Sequence, residues 1–181
     1  MYSPQNTQSC SSSTPNIEKY KQVLHYIISS VESRENVGKT VLFKMLYFSD
    51  FDFYEQHESS ITGELYRKIN QGPAPRNFGR IAKILRKERK IRLTKRNYGG
   101  HIQHKYVSLK EPLTDLVSNA ELKTIKAAVQ KLSKMNATRV SAYSHKDIPW
   151  RATPDKEIID YELVFYRSPE FSTRTYPDED S

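Results

Sequence analysis

Cysteine is almost missing from this chain: Cys10 is the only one in 181 residues, so no internal disulfide and no cysteine-based zinc site can form. It sits in a serine-rich opening stretch and reads as an incidental exposed thiol. Long apolar runs are missing as well. No stretch approaches the roughly 18 apolar residues of a membrane-spanning helix. The opening MYSPQNTQSCSSSTPN has neither the basic region nor the apolar segment of a secretory signal. The expectation is a soluble, cytoplasmic protein with no membrane contact. Catalytic spacing of the Ser-His-Asp or Cys-His kind is absent too, as is any internal repeat.

What is present is charge, and it is concentrated. The formal net charge is +8, and the segment Arg76 to Arg96 holds ten Lys or Arg against one acid, Glu88. That segment carries the whole surplus. A field of this kind suits phosphate groups, an acidic protein partner, or a plain solvated helix face, and composition leaves the three open.

A length of 181 residues fits one domain with a proper core. Val23, Leu24, Ile27, Ile28 and Val31 recur at helical spacing in a first amphipathic helix from Ile17 to Val31, with Asn16 as its cap. Val37 to His57 is apolar on nearly every face, the pattern of a helix buried in the middle of a domain. Asn36 is its expected cap. Lys44, Asp50 and Asp52 must then find partners or edges, and Asp50 is expected to pair with Lys44 or an arginine. Leu65 to Ile69 reads as a strand that Gly72-Pro73-Ala74-Pro75 stops.

Phe78, Ile81, Ala82 and Leu85 give a third helix an apolar stripe, while Arg80, Lys83, Lys87 and Lys90 line another face. Ile91 to Arg96 and Lys105 to Leu109 read as strands around a Gly99-Gly100 turn, so helix and hairpin together resemble a winged-helix layout. Ser118 to Glu121 is a capping box opening a fourth helix. Thr138 to His145 is a fifth helix, closed by Pro149, and Trp150 is expected to pack over the core. Ile158 to Tyr166 reads as a last strand or docked extended segment.

Three chemical constellations fail on inspection. Gly38-Lys39-Thr40 ends like a phosphate-binding loop, but Ser33 stands where that loop needs glycine. His101 and His104 offer two imidazoles where zinc wants three or four ligands, and a solvated hairpin tip is the plainer reading. Asp50, Asp52 and Glu55 are helix neighbours rather than a cleft pair with separated pKa values. No catalytic residue, no metal and no cofactor is expected.

Three segments in order resemble the Panacea domain of SocA-like antitoxins. That family's Lys-Leu-Leu-Tyr-Phe-Ala-Asp-type helix is matched by Lys44, Met45, Leu46, Tyr47, Phe48, Ser49 and Asp50. Its Ile-Thr-Gly-x-x-Tyr segment is matched by Ile61, Thr62, Gly63 and Tyr66, and its aromatic-Gly-Pro-x-Pro turn by Gly72, Pro73 and Pro75, with Gln71 in place of the aromatic residue. A later His-x-x-x-Pro-Trp element is matched by His145, Pro149 and Trp150. The resemblance covers Ile17 to Arg167. It implies a bacterial antitoxin of a toxin–antitoxin system, in the setting of phage defence, that binds a toxin encoded beside it. It also implies that members face quite different toxins and that some deliver the toxin to a Clp-type protease.

The expectation is an α+β, mostly helical single domain around a buried central helix, with a small antiparallel β-hairpin element. Residues 16–168 form the domain, 1–15 a disordered arm and 169–181 a disordered tail. It is read as a protein-binding inhibitor and not an enzyme. The expected toxin surface comprises Tyr66, Arg67, Lys68 and the Pro73 to Pro75 turn, with Arg80, Lys83 and Lys87 at its edge. Lys44, Tyr47, Asp50, Gly63, Gly72, His145, Pro149 and Trp150 carry the family motif. The rival reading is a nucleic-acid-binding regulator using Arg76 to Arg96.

Overall fold

The computed structural model describes residues 14–174; Cys10 and most of the expected N-terminal arm lie outside them. Helix α1 (Ile17–Ser30) begins where the Asn16 side chain accepts a hydrogen bond from Lys19 N at 3.1 Å, replacing one unmet helical partner. It buries Tyr20, Val23, Leu24, Ile27 and Ile28. Helix α2 (Lys39–His57) runs through the centre and buries Val41, Leu42, Met45, Leu46, Tyr47 and Phe51, so apolar residues cover it all round. Its cap is Gly38, which makes no side-chain bond. Asn36, the expected cap, instead donates through Nδ2 to the Ser133 and Met135 carbonyls at 2.9 and 2.8 Å. Two carbonyls at the end of another helix outcompete a local cap. The helix stops at Glu58, which adopts a left-handed φ of 53°.

Strands β1 (Tyr66–Ile69) and β2 (Gly72–Pro75) pair antiparallel, with Tyr66 opposite Pro75 and Ile69 opposite Gly72. The Gly-Pro-x-Pro segment is therefore itself a strand. Its prolines cost nothing because β2 is at the edge of a two-stranded ladder, where a missing N–H is tolerated. The other edge of β1 is covered by an extended segment: Lys68 N donates to the Glu157 carbonyl at 2.9 Å and Ile159 N to that of Tyr66 at 2.8 Å. Beyond it the chain enters a 3-10 helix, Tyr161–Tyr166, so only the first residues of the expected last strand are extended.

Helix α3 (Phe78–Lys87) buries Phe78, Ile81, Ala82 and Leu85, and Phe78 meets Phe43 and Tyr106 edge-on at 4.8 and 5.4 Å between ring centroids. Strands β3 (Ile91–Tyr98) and β4 (His101–Ser108) form a hairpin longer than expected, closed by Gly99 and Gly100 at φ 58° and 83°. Two successive positive φ values make the turn that matches strand twist, and glycine adopts them without a Cβ clash. Helix α4 (Asn119–Leu132) opens on the full capping box of Ser118 and Glu121. Helices α5 (Ala137–Ser144) and α6 (Ile148–Ala152) follow. Pro149 sits in the first turn of α6 rather than closing α5, a position where its missing N–H is already without a helical partner.

The architecture is α+β, mostly helical and built around α2, with two small antiparallel two-stranded sheets. Within the expected tail, residues 169–174 pack onto the domain: Phe171 is buried against Phe48 and Tyr143, and Thr173 N donates to Glu55 at 3.0 Å. Residues 175–181 lie outside the described part.

Candidate functional site

Most motif residues point inward. Asp50 is fully buried; one carboxylate oxygen accepts from Thr62 N at 2.8 Å, the other from Thr62 Oγ1 and Tyr66 Oη at 2.6 Å each. Neither Lys44 nor an arginine is its partner. The reason is geometric: Thr62 and Tyr66 bring three uncharged donors to the carboxylate, which satisfies it without burying a second charge. Burial still raises the Asp50 carboxyl to a pKa of about 6, against the lowering effect of those donors. Thr62 also holds the start of α1, since its carbonyl accepts from Asn16 N at 3.0 Å. Gly63, next in the chain, takes a φ of 70° that suits glycine.

Lys44 is buried without a carboxylate. Its Nζ donates to the Pro73 carbonyl at 3.0 Å, and desolvation lowers its pKa to about 7. Gly72 lies against it: a Cβ there would stand 2.3 Å from Ser144 Oγ and 2.7 Å from Lys44 Cε, and its φ is +97°. The glycine is required by close approach and by backbone conformation together.

Tyr47 donates to Asp147 at 2.9 Å, and the same carboxylate receives Arg167 through Nε and Nη2 at 2.9 and 2.8 Å. Arg167 Nη1 reaches Asp52 and Glu55 at 2.8 and 3.0 Å. Asp52 thus finds the partner its position demanded. These neighbouring carboxylates hold the Arg167 guanidinium charged although it is buried. Trp150 stacks on His145 at 4.2 Å, with Lys68 Nζ over its other side at 4.2 Å from the ring centroid. It is half-buried between the two. Pro149 is buried beneath.

Several residues expected on the toxin surface are therefore inaccessible. Tyr66 is fully buried, and Pro73 and Pro75 are buried as well, because β2 is packed against α2 and α5. Arg67 is exposed and Lys68 half-buried. Arg80, Lys83 and Lys87 are exposed on α3. Lys90, expected to continue their row, instead pairs with Glu88 at 2.8 Å, which also holds Lys21 at 2.6 Å.

The basic segment has a shape that sequence reasoning missed. Lys83, Arg86, Lys87, Arg89 and Arg92 rim a groove of about 500 Å³ between α3 and β3. Its apolar lining includes Leu93 and Leu109, the latter 48% exposed. The positive φ of Arg89, 53°, turns the chain from helix into strand. A second hollow of about 610 Å³ lies where the hairpin tip meets the starts of α2 and α5. His101 and His104 line it with Lys39, but no Cys, Asp or Glu does. Gly38-Lys39-Thr40 starts a helix there without the loop a phosphate site needs.

The missed residues are Glu64 and Arg167; Glu55, read only as a helix neighbour of Asp50 and Asp52, is a partner of that arginine. Glu64 is fully buried and accepts from Asn77 N at 2.8 Å, tying the segment before β1 to the start of α3. Arg167 pairs across 115 residues with Asp52, and no local pattern announces such a pair. Among the described residues no helix is long and apolar enough to cross a membrane.

A search of curated proteins and one of solved structures each return no match. A family model described as "Antitoxin SocA-like, Panacea domain" matches residues 42–151. That span runs from the first turn of α2 to the His145–Trp150 stack and contains every motif described above. The chain belongs to the SocA-like antitoxin family through its Panacea domain.

Proposed function

We propose that this protein is the antitoxin of a toxin–antitoxin pair and neutralises a toxin encoded nearby by binding it directly, in the bacterial cytoplasm. The observation that carries the reading is the family match over residues 42–151. The chemistry of the interior agrees with it. Its buried acids are held by donors inside the fold: Asp50 by Thr62 and Tyr66, Asp147 and Glu55 by Arg167. An inhibitor needs only a surface that occludes a toxin's site, and the exposed cations Arg67, Arg80, Lys83 and Lys87 belong to that surface.

The test is co-expression. The neighbouring gene product is induced in bacteria with and without this protein, and the two are purified through a tag on one. Restored growth with a stable complex is the expected result. Restored growth without a complex, lost in a strain lacking its Clp-type protease, would replace occlusion by delivery to that protease. No toxicity and no complex would overturn the antitoxin reading. The basic face favours one second reading, a nucleic-acid-binding regulator. It predicts that duplex DNA binds with a steep salt dependence that Lys83→Glu with Lys87→Glu abolishes.

A further inference from the structure

We infer that the groove between α3 and β3 is the seat of an acidic, partly apolar segment of the protein partner. The inference rests on the antitoxin reading and names the chemistry of the toxin's docking segment. Five cations, Lys83, Arg86, Lys87, Arg89 and Arg92, converge on one groove. None of their side chains makes a hydrogen bond or ion pair with the described residues, whereas nearby Lys21 and Lys90 are both neutralised by Glu88. Like charges gathered along an open, shallow groove repel each other in the free protein, and a bound anion relieves that repulsion.

The lining decides between anions. Leu93 and Leu109 sit in the groove with Ile91, and Leu109 is about half exposed. A sugar–phosphate backbone gains nothing from these side chains. Single strands would want aromatic rings to stack on, and none lines the groove: Tyr106 is packed edge-on against Phe78. A peptide segment that alternates carboxylates with leucine- or valine-like side chains satisfies both features, meeting the cations at the rim and burying the leucines beneath. Opposed charge of this kind speeds encounter and fixes register, while the apolar lining slows release.

The test uses the full-length protein and the product of the neighbouring reading frame, with two charge-matched variants. One carries Lys83→Glu with Lys87→Glu in the groove; the other carries Lys123→Glu with Lys126→Glu on the exposed face of α4. Circular dichroism establishes that both are folded, and the affinity of the complex is read at several salt concentrations. The expected result is at least a tenfold loss of affinity and a flattened salt slope for the groove variant, with the α4 variant within twofold of the parent. Leu93→Asp is expected to weaken the complex by faster dissociation. If the complex forms and the groove variant binds within twofold of the parent, the groove inference fails and the antitoxin reading stands. If no complex forms at all, neutralisation by a stable complex fails, and the antitoxin reading falls with it where the neighbouring product is also not toxic. The groove is then probed with a labelled peptide of alternating Glu and Leu and with a 20-base-pair duplex. Peptide binding lost only in the groove variant supports the inference, and binding of the duplex alone overturns it.

Discussion

At Asp50, three donors converge on one buried carboxylate, and the consequence is measurable. Asp50→Ala leaves a backbone N–H, a threonine hydroxyl and a tyrosine hydroxyl without their acceptor. At about 1–3 kcal/mol for each buried group left unmet, a loss of about 3 kcal/mol or more is expected in urea denaturation. A loss under 1 kcal/mol would show that water or a neighbour replaces the carboxylate. Gly72→Ala is expected to destabilise by about 2–4 kcal/mol, since it combines a strained φ with overpacking. Replacing Ser144 by glycine should restore only part of it, because Lys44 Cε and the φ remain.

Lys44 supplies the pH dependence at the same scale. Its folded pKa is lowered to about 7 against about 10.4 for an unperturbed lysine, so between those values the unfolded chain binds a proton the folded one does not. Stability must then rise as pH increases from 7 towards 10, by at most about 1.4 kcal/mol per pH unit. The burial penalty is fully present below pH 7. Lys44→Met should remove that slope. Parallel slopes for parent and variant across pH 7–10 would show that Lys44 keeps its charge in the fold.

Among elements, the C-terminal segment matters out of proportion to its regularity. Arg167 gathers Asp147, Asp52 and Glu55, and Phe171 covers Phe48, so the segment after the matched span straps α2 to α6. Removing one partner of a buried ionic cluster strands the others. Arg167→Met is therefore expected to cost about 3–5 kcal/mol, with Arg167→Lys recovering little because a single ammonium cannot span three carboxylates. Thermal unfolding would check both. The elements with strong local grammar were legible beforehand: α1 from its cap and stripe, α4 from its capping box, the hairpin from Gly99-Gly100. Those that failed depended on context. Gly72 to Pro75 reads as a breaker but is a strand because its edge position needs no N–H from the prolines. Pro149 reads as a stop but starts α6. Residues 169–174 read as tail, yet one phenylalanine and two hydroxyls find buried partners there.

For the whole molecule, the asymmetric charge is the property to exploit. If a toxin docks on the α3 face, raising salt from 50 to 300 mM should slow association about tenfold and change dissociation far less, because screening shortens the reach of the cationic field without touching close contacts. Stopped-flow association would read this. An unchanged association rate would place the interface away from the basic segment.

Sequence alone determined the buried central helix, the location of the charge surplus and the family, since each is written in contiguous residues: apolar coverage, ten cations in one segment, motifs in order. The candidate site was legible only as that charge. Tertiary structure decided which side chains meet. It gave Asp50 neutral donors in place of a base, gave Asp52 an arginine far along the chain, withdrew Tyr66, Pro73 and Pro75 from the surface and folded the cations around a groove. Such pairings depend on desolvation and distance between segments remote in the chain, and neither quantity exists until the chain has packed.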